Sequence, residues 1–404
     1  MRILLVVAYY IPEIGSAAHV YHDLAKAFVK RGHEVHIITS YPREFNLNKE
    51  DYSKTYQLDE VIEGIHVHRC KHPAQRDNVI LRGLEHFIIP RYYFKKYKEL
   101  GLDFDVCLMY IPPLPLYYLA SKIKKYDGTP SVLNFQDFHP QELVDVGVMK
   151  NSFWIKILEY IEKKAYKNAD YITVLSKKGV DYIAERGGNP DKIKHIYNSV
   201  SLDYLGKEKL KKDFKEKQKI QDKTLVTYAG ILSPYQGIDN ILDAAKNIKT
   251  DNKIVFQIVG DGSIKNHIEK RIKDEKISNV KLLPFQSREE YFNIINSSDI
   301  SLVSLDERMY VPCLPGKIRD LLLLKKPIIA SVPKNTETAE IICESGCGIV
   351  VNPRDKKDLI EVIKKLKTDS ELRYKLGSNG YNFLFKKMNL EKNIEEYEIL
   401  FKSL

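Results

Sequence analysis

The feature that most restricts the fold of this chain is a regular alternation of short apolar runs with helical segments. In the first half, the apolar runs are 2–7, 35–38, 65–67, 106–110, 131–135 and 171–175. In the second half, they are 224–229, 254–259, 280–283, 300–305, 328–332 and 349–351. Continuous apolar runs are typical of strands covered on both faces, and helices between them imply parallel sheets with right-handed crossovers.

Two domains are predicted, because the strand series starts again after a lysine-rich segment at 207–223. That segment has a helical but weakly apolar pattern, so we expect a solvated helix there rather than a nucleic-acid-binding element. We place the domains at 1–201 and 202–388, with a C-terminal helix at 389–404 packing back on the first. The predicted class is α/β, with two Rossmann-like domains whose parallel sheets face each other across a cleft, where open sheets bind ligands.

The charge balance indicates anionic partners. Lysine and arginine number 64 against 54 acidic residues, which gives a net charge of +10. Such an excess suits phosphate-bearing small molecules, nucleic acid or a negatively charged membrane surface. The sequence shows no helix-turn-helix, zinc or RNA-binding signature, so nucleic acid is the least favoured of the three. No apolar stretch approaches the ~20 residues that a membrane span needs, so any membrane contact would be peripheral.

The cysteines argue against a zinc site and for a reducing compartment. Only two of the five are close in sequence, and no second pair or histidine cluster follows them. We therefore expect small buried thiols and a cytoplasmic protein. Peripheral association with the inner face of the cell membrane would be compatible with this location. The five are Cys70, Cys107, Cys313, Cys343 and Cys347.

Three glycine loops follow predicted strands, at Gly15-Ser16, at Gly230 and at 260–262. Glycine allows backbone amides to approach a phosphate, and a following helix N-terminus favours negative charge. The loop at Gly15 lacks the G-x-G-x-x-G spacing of a dinucleotide site, which disfavours a nicotinamide enzyme.

Short motifs follow one another in a specific order through nearly the whole chain. In the first half they are 12–18, 31–35, 136–142, 166–170 and 196–200; in the second they are 228–230, 236–238, 259–262, 298–300, 315–317 and 326–330. Their order and spacing resemble the family 4 retaining glycosyltransferases of GT-B fold. The resemblance is closest to the branch that transfers N-acetylated or deoxy sugars in surface-polysaccharide assembly.

This resemblance implies transfer of a sugar from a nucleoside diphosphate, expected to be UDP, to an acceptor hydroxyl. A UDP-N-acetylhexosamine is one expected donor, and a lipid-linked or polysaccharide precursor is the expected acceptor. No metal or other cofactor is expected, because no acidic pair with a divalent-cation pattern stands out. The donor-binding positions carried over are Gly15, Ser16, Gly230, Gln236, Gly260, Phe285, Gln286, Gly316, Lys317 and Asp320.

Two departures from the family pattern bear on these roles. Where many members have two glutamates eight positions apart, this chain has Pro312 and Asp320; aspartate can still accept hydrogen bonds from a ribose diol. Where many members have an arginine and a lysine, it has Ile231 and Gln236. The diphosphate charge must then be met elsewhere, and Lys317 at the start of a predicted helix is our candidate. The alternative is a solvent-exposed first-turn lysine.

Asp137 and His139 are the candidate catalytic residues, because they follow a strand at its carboxyl end. The aspartate could orient or deprotonate the acceptor hydroxyl, and the histidine could hydrogen-bond the donor sugar or the leaving phosphate. In the alternative, Asp137 caps the following helix and His139 packs against Pro140. Retaining members are thought to let the leaving phosphate assist attack on the same face, so neither residue is called the nucleophile.

Residues 81–98 interleave aromatic and apolar side chains with basic ones, among them Leu84, Tyr92, Arg82 and Lys95. This pattern suits an interfacial helix on anionic lipid. The alternative is a pair of core helices broken at Pro90 with a solvated basic face. The resemblance favours the membrane interpretation, because acceptors in the family are often sugars on polyprenyl diphosphate.

Three rival functions stay open at this stage. A sugar-nucleotide epimerase or hydrolase of the same fold would cleave the same bond without a glycosyl acceptor. A noncatalytic sugar-nucleotide binder is compatible with Pro312. A basic nucleic-acid-binding protein is the most distant, and it would bind with a steep salt dependence.

Overall fold

The computed structural model describes residues 1–13, 15–43, 47, 54–73, 79–202, 210–312 and 314–404, without the side chains of 79–84. The chain divides into two compact units. The first comprises Met1–Pro140, Lys150–Ser199 and Leu390–Leu404, and the second comprises Gln141–Met149 and Val200–Asn389.

The first unit is built on an eight-stranded sheet in the order β3-β4-β2-β1-β5-β6-β7-β8. All neighbours pair in parallel except β3 and β4, which are antiparallel. Buried apolar residues fill its central strands, as the continuous apolar runs predict. The strands are β1 (Arg2–Val6), β2 (Glu34–Ser40), β3 (Asp59–Ile62), β4 (Ile65–Cys70), β5 (Val106–Ile111), β6 (Ser131–Phe135), β7 (Tyr171–Val174) and β8 (Ile193–His195).

Helices cover both faces of this sheet. The strand order moves one way from β1 to β2 and the other way from β4 to β5, β6 and β7, so right-handed crossovers place α1 opposite α2, α3 and α5. The helices are α1 (Ser16–Lys30), α2 (Val79–Leu100), α3 (Leu116–Asp127), α5 (Ser152–Asn168), α6 (Lys177–Glu185) and α15 (Leu390–Lys402); the short α4 (Gln141–Asp145) belongs to the second unit.

The C-terminal helix α15 packs on α1 within the first unit. Phe28 of α1 lies 5.7 Å from Phe401 between ring centroids. At the rim, Glu398 accepts hydrogen bonds from the Arg31 guanidinium at 2.9 and 2.8 Å, and its carboxylate lies 2.8 Å from His33 Nε2. Apolar packing and ion pairing thus hold α15 against α1.

The second unit has a six-stranded parallel sheet in the order β11-β10-β9-β12-β13-β14. This is the doubly wound order, in which successive strands run outward in two directions from a switch point between β9 and β12. The strands are β9 (Thr224–Ala229), β10 (Ile254–Val259), β11 (Val280–Leu283), β12 (Ile300–Ser304), β13 (Ile328–Ser331) and β14 (Gly348–Val351). The helices are α7 (Phe214–Lys217), α8 (Ile238–Asn247), α9 (Lys265–Asp274), α10 (Arg288–Ser297), α11 (Lys317–Leu323), α12 (Glu337–Ser345), α13 (Lys356–Thr368) and α14 (Ser370–Lys387).

The structure corrects two expectations, one about the lysine-rich segment and one about the cysteines. In the described part of the lysine-rich segment, 210–223, only Phe214–Lys217 is helical, because few apolar side chains besides Phe214 and Ile220 are buried there to hold a longer helix. Among the cysteines, Cys343 is exposed rather than buried, and Cys313 lies outside the described residues. None of the described helices is long and apolar enough to cross a membrane.

Candidate functional site

The switch point between β9 and β12 is the candidate ligand site of the second unit, because the loops that leave these strands diverge there. Two hydrogen bonds join the loops to each other. Asp306 donates its backbone amide to the Tyr235 carbonyl at 2.8 Å, and Ser304 Oγ donates to the Gly237 carbonyl at 3.2 Å. These two bonds fix the loops relative to each other.

Gly230 and Gly260 permit a close approach of neighbouring loops at this edge. Both have φ at +154°, which disfavours any side chain. A Cβ on Gly260 would lie 1.9 Å from the Gly230 carbonyl oxygen, and a Cβ on Gly230 would lie 2.7 Å from Lys317 Nζ. These glycines therefore make room for each other and for a lysine, a structural role that the phosphate-loop interpretation did not include.

Lys317 lies at the centre of a cluster that the structure assembles from three elements. Its Nζ is 3.9 Å from the centroid of the Tyr228 ring, at the end of β9. The same ammonium donates to Gln236 Oε1 at 3.3 Å. We call Tyr228, Gly230, Gln236 and Lys317 the Lys317 cluster; three of its four members were predicted as donor-binding residues.

Tyr228 was not predicted, and it organises the cluster. It is fully buried, and burial raises the pKa of Tyr228 well above its usual value, so its hydroxyl keeps its proton. The hydroxyl donates a hydrogen bond to Gln236 Oε1 at 2.8 Å or to the Ile231 carbonyl at 3.0 Å. The only signal in the sequence is a tyrosine two residues before Gly230, and a tyrosine in an apolar strand is usually interpreted as core.

Asp320 occupies a different environment, on the buried side of α11. Its Oδ1 lies 3.3 Å from Arg319 Nε and 3.7 Å from Arg288 Nη2. Asp320 is only 5% exposed, so a ribose hydroxyl would have to share the carboxylate with two arginines. Arg288 was not predicted as part of the site.

The remaining donor-binding predictions lie along the same edge of the sheet. Phe285, which follows β11, is 38% exposed, and Gln286 Nε2 donates to the Pro284 carbonyl at 2.9 Å. Gly316 is the N-cap residue of α11 in ordinary helical geometry. The helix that begins at Lys317 has seven residues, so it supplies less dipole than the sequence led us to expect.

The first unit carries the other four predicted residues. Gly15 is the N-cap of α1 in extended backbone, and a Cβ there would meet nothing within 4 Å. Ser16 is exposed, and it begins the helix. Asp137 and His139 follow β6, both half-buried, on either side of the buried Phe138.

The start of the Asp137 loop is anchored by side-chain amides. Gln136 and Asn198 exchange two hydrogen bonds, of 3.1 and 2.6 Å. Asn134 Nδ2 donates to Thr173 Oγ1 at 2.8 Å and to the Tyr397 hydroxyl at 3.0 Å, which joins β6 to β7 and to α15. Residue 137 therefore leaves the sheet from a fixed position.

Among the described residues, the structure contains no group of three or more histidine, cysteine, aspartate or glutamate side chains that could hold a metal ion.

The aromatic-basic segment 81–98 lies within a single helix, α2, which continues through Pro90. The alternative of two helices broken at this proline is therefore wrong. Ile89, Tyr93 and Tyr97 are buried at helical spacing, so much of the apolar character serves the core. The exposed positions are Arg91, Tyr92, Lys95, Lys98 and Glu99, and the Glu99 carboxylate lies 3.7 Å from Lys95 Nζ. The side chains of 81–84, including Arg82 and Leu84, lie outside the described residues.

Comparison with known proteins assigns each half of the chain. The model "Glycosyltransferase Family 4" matches residues 15–204, and the model "Glycosyl transferases group 1" matches residues 210–383. The chain is 26% identical to the probable glycosyltransferase WbjE of Pseudomonas aeruginosa over 302 residues, which is 73% of this chain and 74% of WbjE. It is 21% identical over 378 residues to WcaI of Escherichia coli K12, whose name assigns it to colanic acid biosynthesis as a glycosyl transferase; these are 90% of this chain and 92% of WcaI.

A solved structure supports the fold assignment over the full length. HepE of Anabaena, crystallised in complex with UDP, aligns over 100% of both chains with a TM-score of 0.73 at 15% identity, a likeness that bears on the fold alone. The two parallel-sheet units and this likeness show the GT-B fold. The two family models show that this chain is a glycosyltransferase, with a family 4 first half and a group 1 second half.

Proposed function

We propose that this glycosyltransferase moves a sugar from a nucleoside diphosphate, in the first instance UDP, to an acceptor hydroxyl with retention at the anomeric carbon. The bond between the anomeric carbon and the diphosphate oxygen breaks, and a bond to the acceptor oxygen forms. The acceptor proton passes to the leaving phosphate, so no protein nucleophile is required. A UDP-N-acetylhexosamine and a lipid-linked or polysaccharide acceptor are the substrates that we propose.

The observation that carries the donor proposal is the ammonium of Lys317, held at the switch point of the second sheet. Negative charge develops on the diphosphate as the sugar leaves, and a pre-positioned cation stabilises it without reorganisation. Gln236 and the Tyr228 ring fix the ammonium from two sides. The complexes of HepE with UDP and UDP-glucose are consistent with this class of donor.

Other residues complete the proposed donor site. Asp320 would accept from the ribose, Phe285 and Gln286 would lie near the base, and Gly260 and Gly316 would bring backbone amides close to the ligand. In the first unit, Gly15 and Ser16 would face the diphosphate. No metal is needed in this scheme, since Lys317 supplies the positive charge.

Asp137 and His139 are the residues that we propose for the acceptor and the donor sugar. Both sit beyond the carboxyl end of β6, and the Gln136–Asn198 amide pair fixes the start of their loop. Asp137 would accept a hydrogen bond from the acceptor hydroxyl and orient it. His139 would donate to a sugar or phosphate oxygen. Both are therefore expected to affect kcat more than UDP binding.

We also propose a cytoplasmic protein in peripheral contact with anionic membrane through the outward residues of α2. Arg91, Lys95 and Lys98 are exposed on that helix, and such residues attract acidic head groups. If Lys95→Gln with Lys98→Gln left sedimentation with anionic liposomes unchanged, α2 would have no part in binding.

A thermal-shift panel of nucleotides tests the donor class directly. A ligand at ~100 times its dissociation constant adds about 2.7 kcal/mol of stability. We expect UDP and UDP-sugars to raise the melting temperature and NAD to leave it unchanged. Indifference to every nucleoside diphosphate would contradict the proposal. Release of free sugar or epimer from a UDP-sugar, equally fast with and without acceptors, would instead indicate an epimerase or hydrolase.

A further inference from the structure

The loop that joins β9 to α8, residues 230–237, contains no charged side chain. It flanks the switch point, and its first residue, Gly230, lies against Lys317: a Cβ there would be 2.7 Å from Lys317 Nζ. Ile231 is the next residue, so its Cα lies within about 8 Å of that ammonium. The loop therefore places an apolar residue beside the proposed diphosphate site.

The backbone of Ile231 is fixed, while its side chain is in solvent. The Tyr228 hydroxyl donates to the Ile231 carbonyl at 3.0 Å, so this carbonyl faces the interior of the unit, where Tyr228 is buried. Leu232, the following residue, is fully buried and donates its amide to the Asp261 carbonyl at 2.9 Å. Ile231 itself is 54% exposed. Fixed neighbours thus hold a large apolar side chain in water.

Exposed apolar and aromatic side chains of the second unit are concentrated at the edge of the sheet where ligands bind. Ile231, Phe285 and Tyr310 lie in the loops that follow β9, β11 and β12 at their carboxyl ends. A single exposed apolar residue needs no explanation, but a concentration at this edge indicates contact with a ligand. Among the described residues of this unit, the large apolar and aromatic side chains that are exposed are Val148, Ile231, Phe285, Tyr310, Tyr374 and Phe385.

The chemistry of Ile231 restricts which part of the donor it can contact. Its side chain offers neither charge nor a hydrogen bond to a phosphate oxygen. In the proposed donor site, Lys317 meets the diphosphate, while Phe285 and Gln286 lie near the base. The part of the donor that remains for Ile231 is the sugar, which is bonded directly to the diphosphate.

We propose that Ile231 selects a transferred sugar that carries a methyl group, through direct contact with that methyl. This inference rests on the proposed nucleoside diphosphate donor and narrows its sugar. An N-acetyl group and a 6-deoxy position both present a methyl group where glucose presents a hydroxyl. A hydroxyl turned from water towards Ile231 would lose its hydrogen bonds, whereas burying one methyl group strengthens binding by about fourfold.

Calorimetric titration of the full chain with four ligands tests this selection. The ligands are UDP, UDP-glucose, UDP-N-acetylglucosamine and UDP-6-deoxyglucose, so the three sugars differ only in the groups at issue. We expect at least one of the two methyl-bearing donors to bind about fourfold tighter than UDP-glucose, and the tighter one identifies the source of the methyl. Equal affinity for the three sugars would overturn the proposal.

Two substitutions at position 231 separate apolar contact from charge. Ile231→Thr keeps the branched shape but puts a hydroxyl in place of the ethyl arm, so it should abolish the preference and leave UDP affinity within about twofold. Ile231→Arg adds a cation beside the diphosphate and should tighten UDP at least about threefold. The matched control, Val61→Thr on β3 of the first unit, is 63% exposed and should change neither quantity. All three variants should melt like the wild type, because the replaced side chains are mostly exposed.

A preference for methyl-bearing sugars that survives in Ile231→Thr would show that another residue makes the contact, which contradicts the assignment. Unchanged UDP affinity in Ile231→Arg would place residue 231 away from the diphosphate and would also contradict it. Failure of the donor proposal gives a different result, because the chain would then bind neither UDP nor any of the UDP-sugars. A chain that binds UDP through Lys317 but does not distinguish the three sugars retains the donor site and loses only the selection by Ile231.

Discussion

The ammonium of Lys317 lies 3.9 Å from the centroid of the Tyr228 ring, so a buried aromatic residue holds the one cation that we assign to the donor diphosphate. The arrangement orients a flexible side chain before any ligand arrives. A cation over an aromatic face contributes about 0.5–2 kcal/mol, depending on its solvation. Tyr228 is thus a positioning residue, acting on the ligand through Lys317.

Replacing Tyr228 should therefore weaken UDP more than uridine. Tyr228→Leu removes both the ring and the hydroxyl, and we expect a loss of about tenfold in UDP affinity. Tyr228→Phe keeps the ring and should retain most of that affinity, since it loses only the hydroxyl hydrogen bond. Calorimetric titration of both nucleotides checks this, with the melting temperature as a folding control. Equal losses for UDP and uridine would mean that Tyr228 only fills the core.

Two glycine substitutions should separate structural from functional glycines. Gly260→Ala places a Cβ 1.9 Å from the Gly230 carbonyl, at a φ of +154°. We expect it to destabilise the second unit by several kcal/mol, on the order of other severe backbone clashes. Gly15→Ala meets nothing within 4 Å and should melt like the wild type. If Gly15→Ala lowers activity while its stability is normal, the loop at Gly15 approaches a ligand.

Glu162 in α5 should make the protein less stable as the pH rises. Burial raises the pKa of Glu162 to about 7, while the Tyr166 hydroxyl donates to its carboxyl at 2.7 Å. In the unfolded state, Glu162 ionises near its ordinary pKa of 4.5. Raising the pH from 4.5 to 7 therefore favours unfolding, because the unfolded chain loses this proton first. Glu162→Gln keeps an acceptor for Tyr166 and removes the titration. We expect it to stabilise the chain at pH 8 by up to about 3 kcal/mol and to be neutral at pH 4.

Glu398 in α15 should show the opposite sign. The Arg31 guanidinium, and secondarily His33, lower the pKa of Glu398 to about 2. Its contribution is complete above the unfolded pKa of 4.5 and disappears as the pH falls towards 2. Because the ion pair is near the surface, we expect Glu398→Gln to lose only about 1 kcal/mol at pH 7. Melting curves from pH 7 to 3 check this, and a constant difference between the two proteins would refute it.

The sequence was most informative about the strands. Each predicted run from 2–7 to 349–351 contains a strand, because continuous apolar residues leave few alternatives to burial in a parallel sheet. The strands that were not predicted, β3 and β8, are short edge strands with charged residues such as Asp59 and Lys194. Edge strands bury less, and their pattern therefore carries less signal.

Side-chain contacts were harder to predict. The carboxyl-end rule placed Gly230, Gln236 and Lys317 on one edge, but the part played by Tyr228 depends on a distance between two elements that no local pattern records. The same limit applies to the surface helices. The composition of residues 81–98 predicted a surface helix, but their apolar face packs in the core. In α5, the exposure of Phe153 and Tyr160 depends on how that helix packs on the sheet, which its sequence does not record.

The most direct test of the donor site compares UDP and uridine binding to Lys317→Ala and to the control Lys270→Ala. Uridine lacks the diphosphate, so any loss confined to UDP measures the interaction between Lys317 and phosphate. We predict that Lys317→Ala weakens UDP at least about tenfold, as expected for a charge-assisted contact, and leaves uridine within about twofold. Equal weakening of both ligands, or unchanged UDP binding, would contradict the assignment of the diphosphate to Lys317.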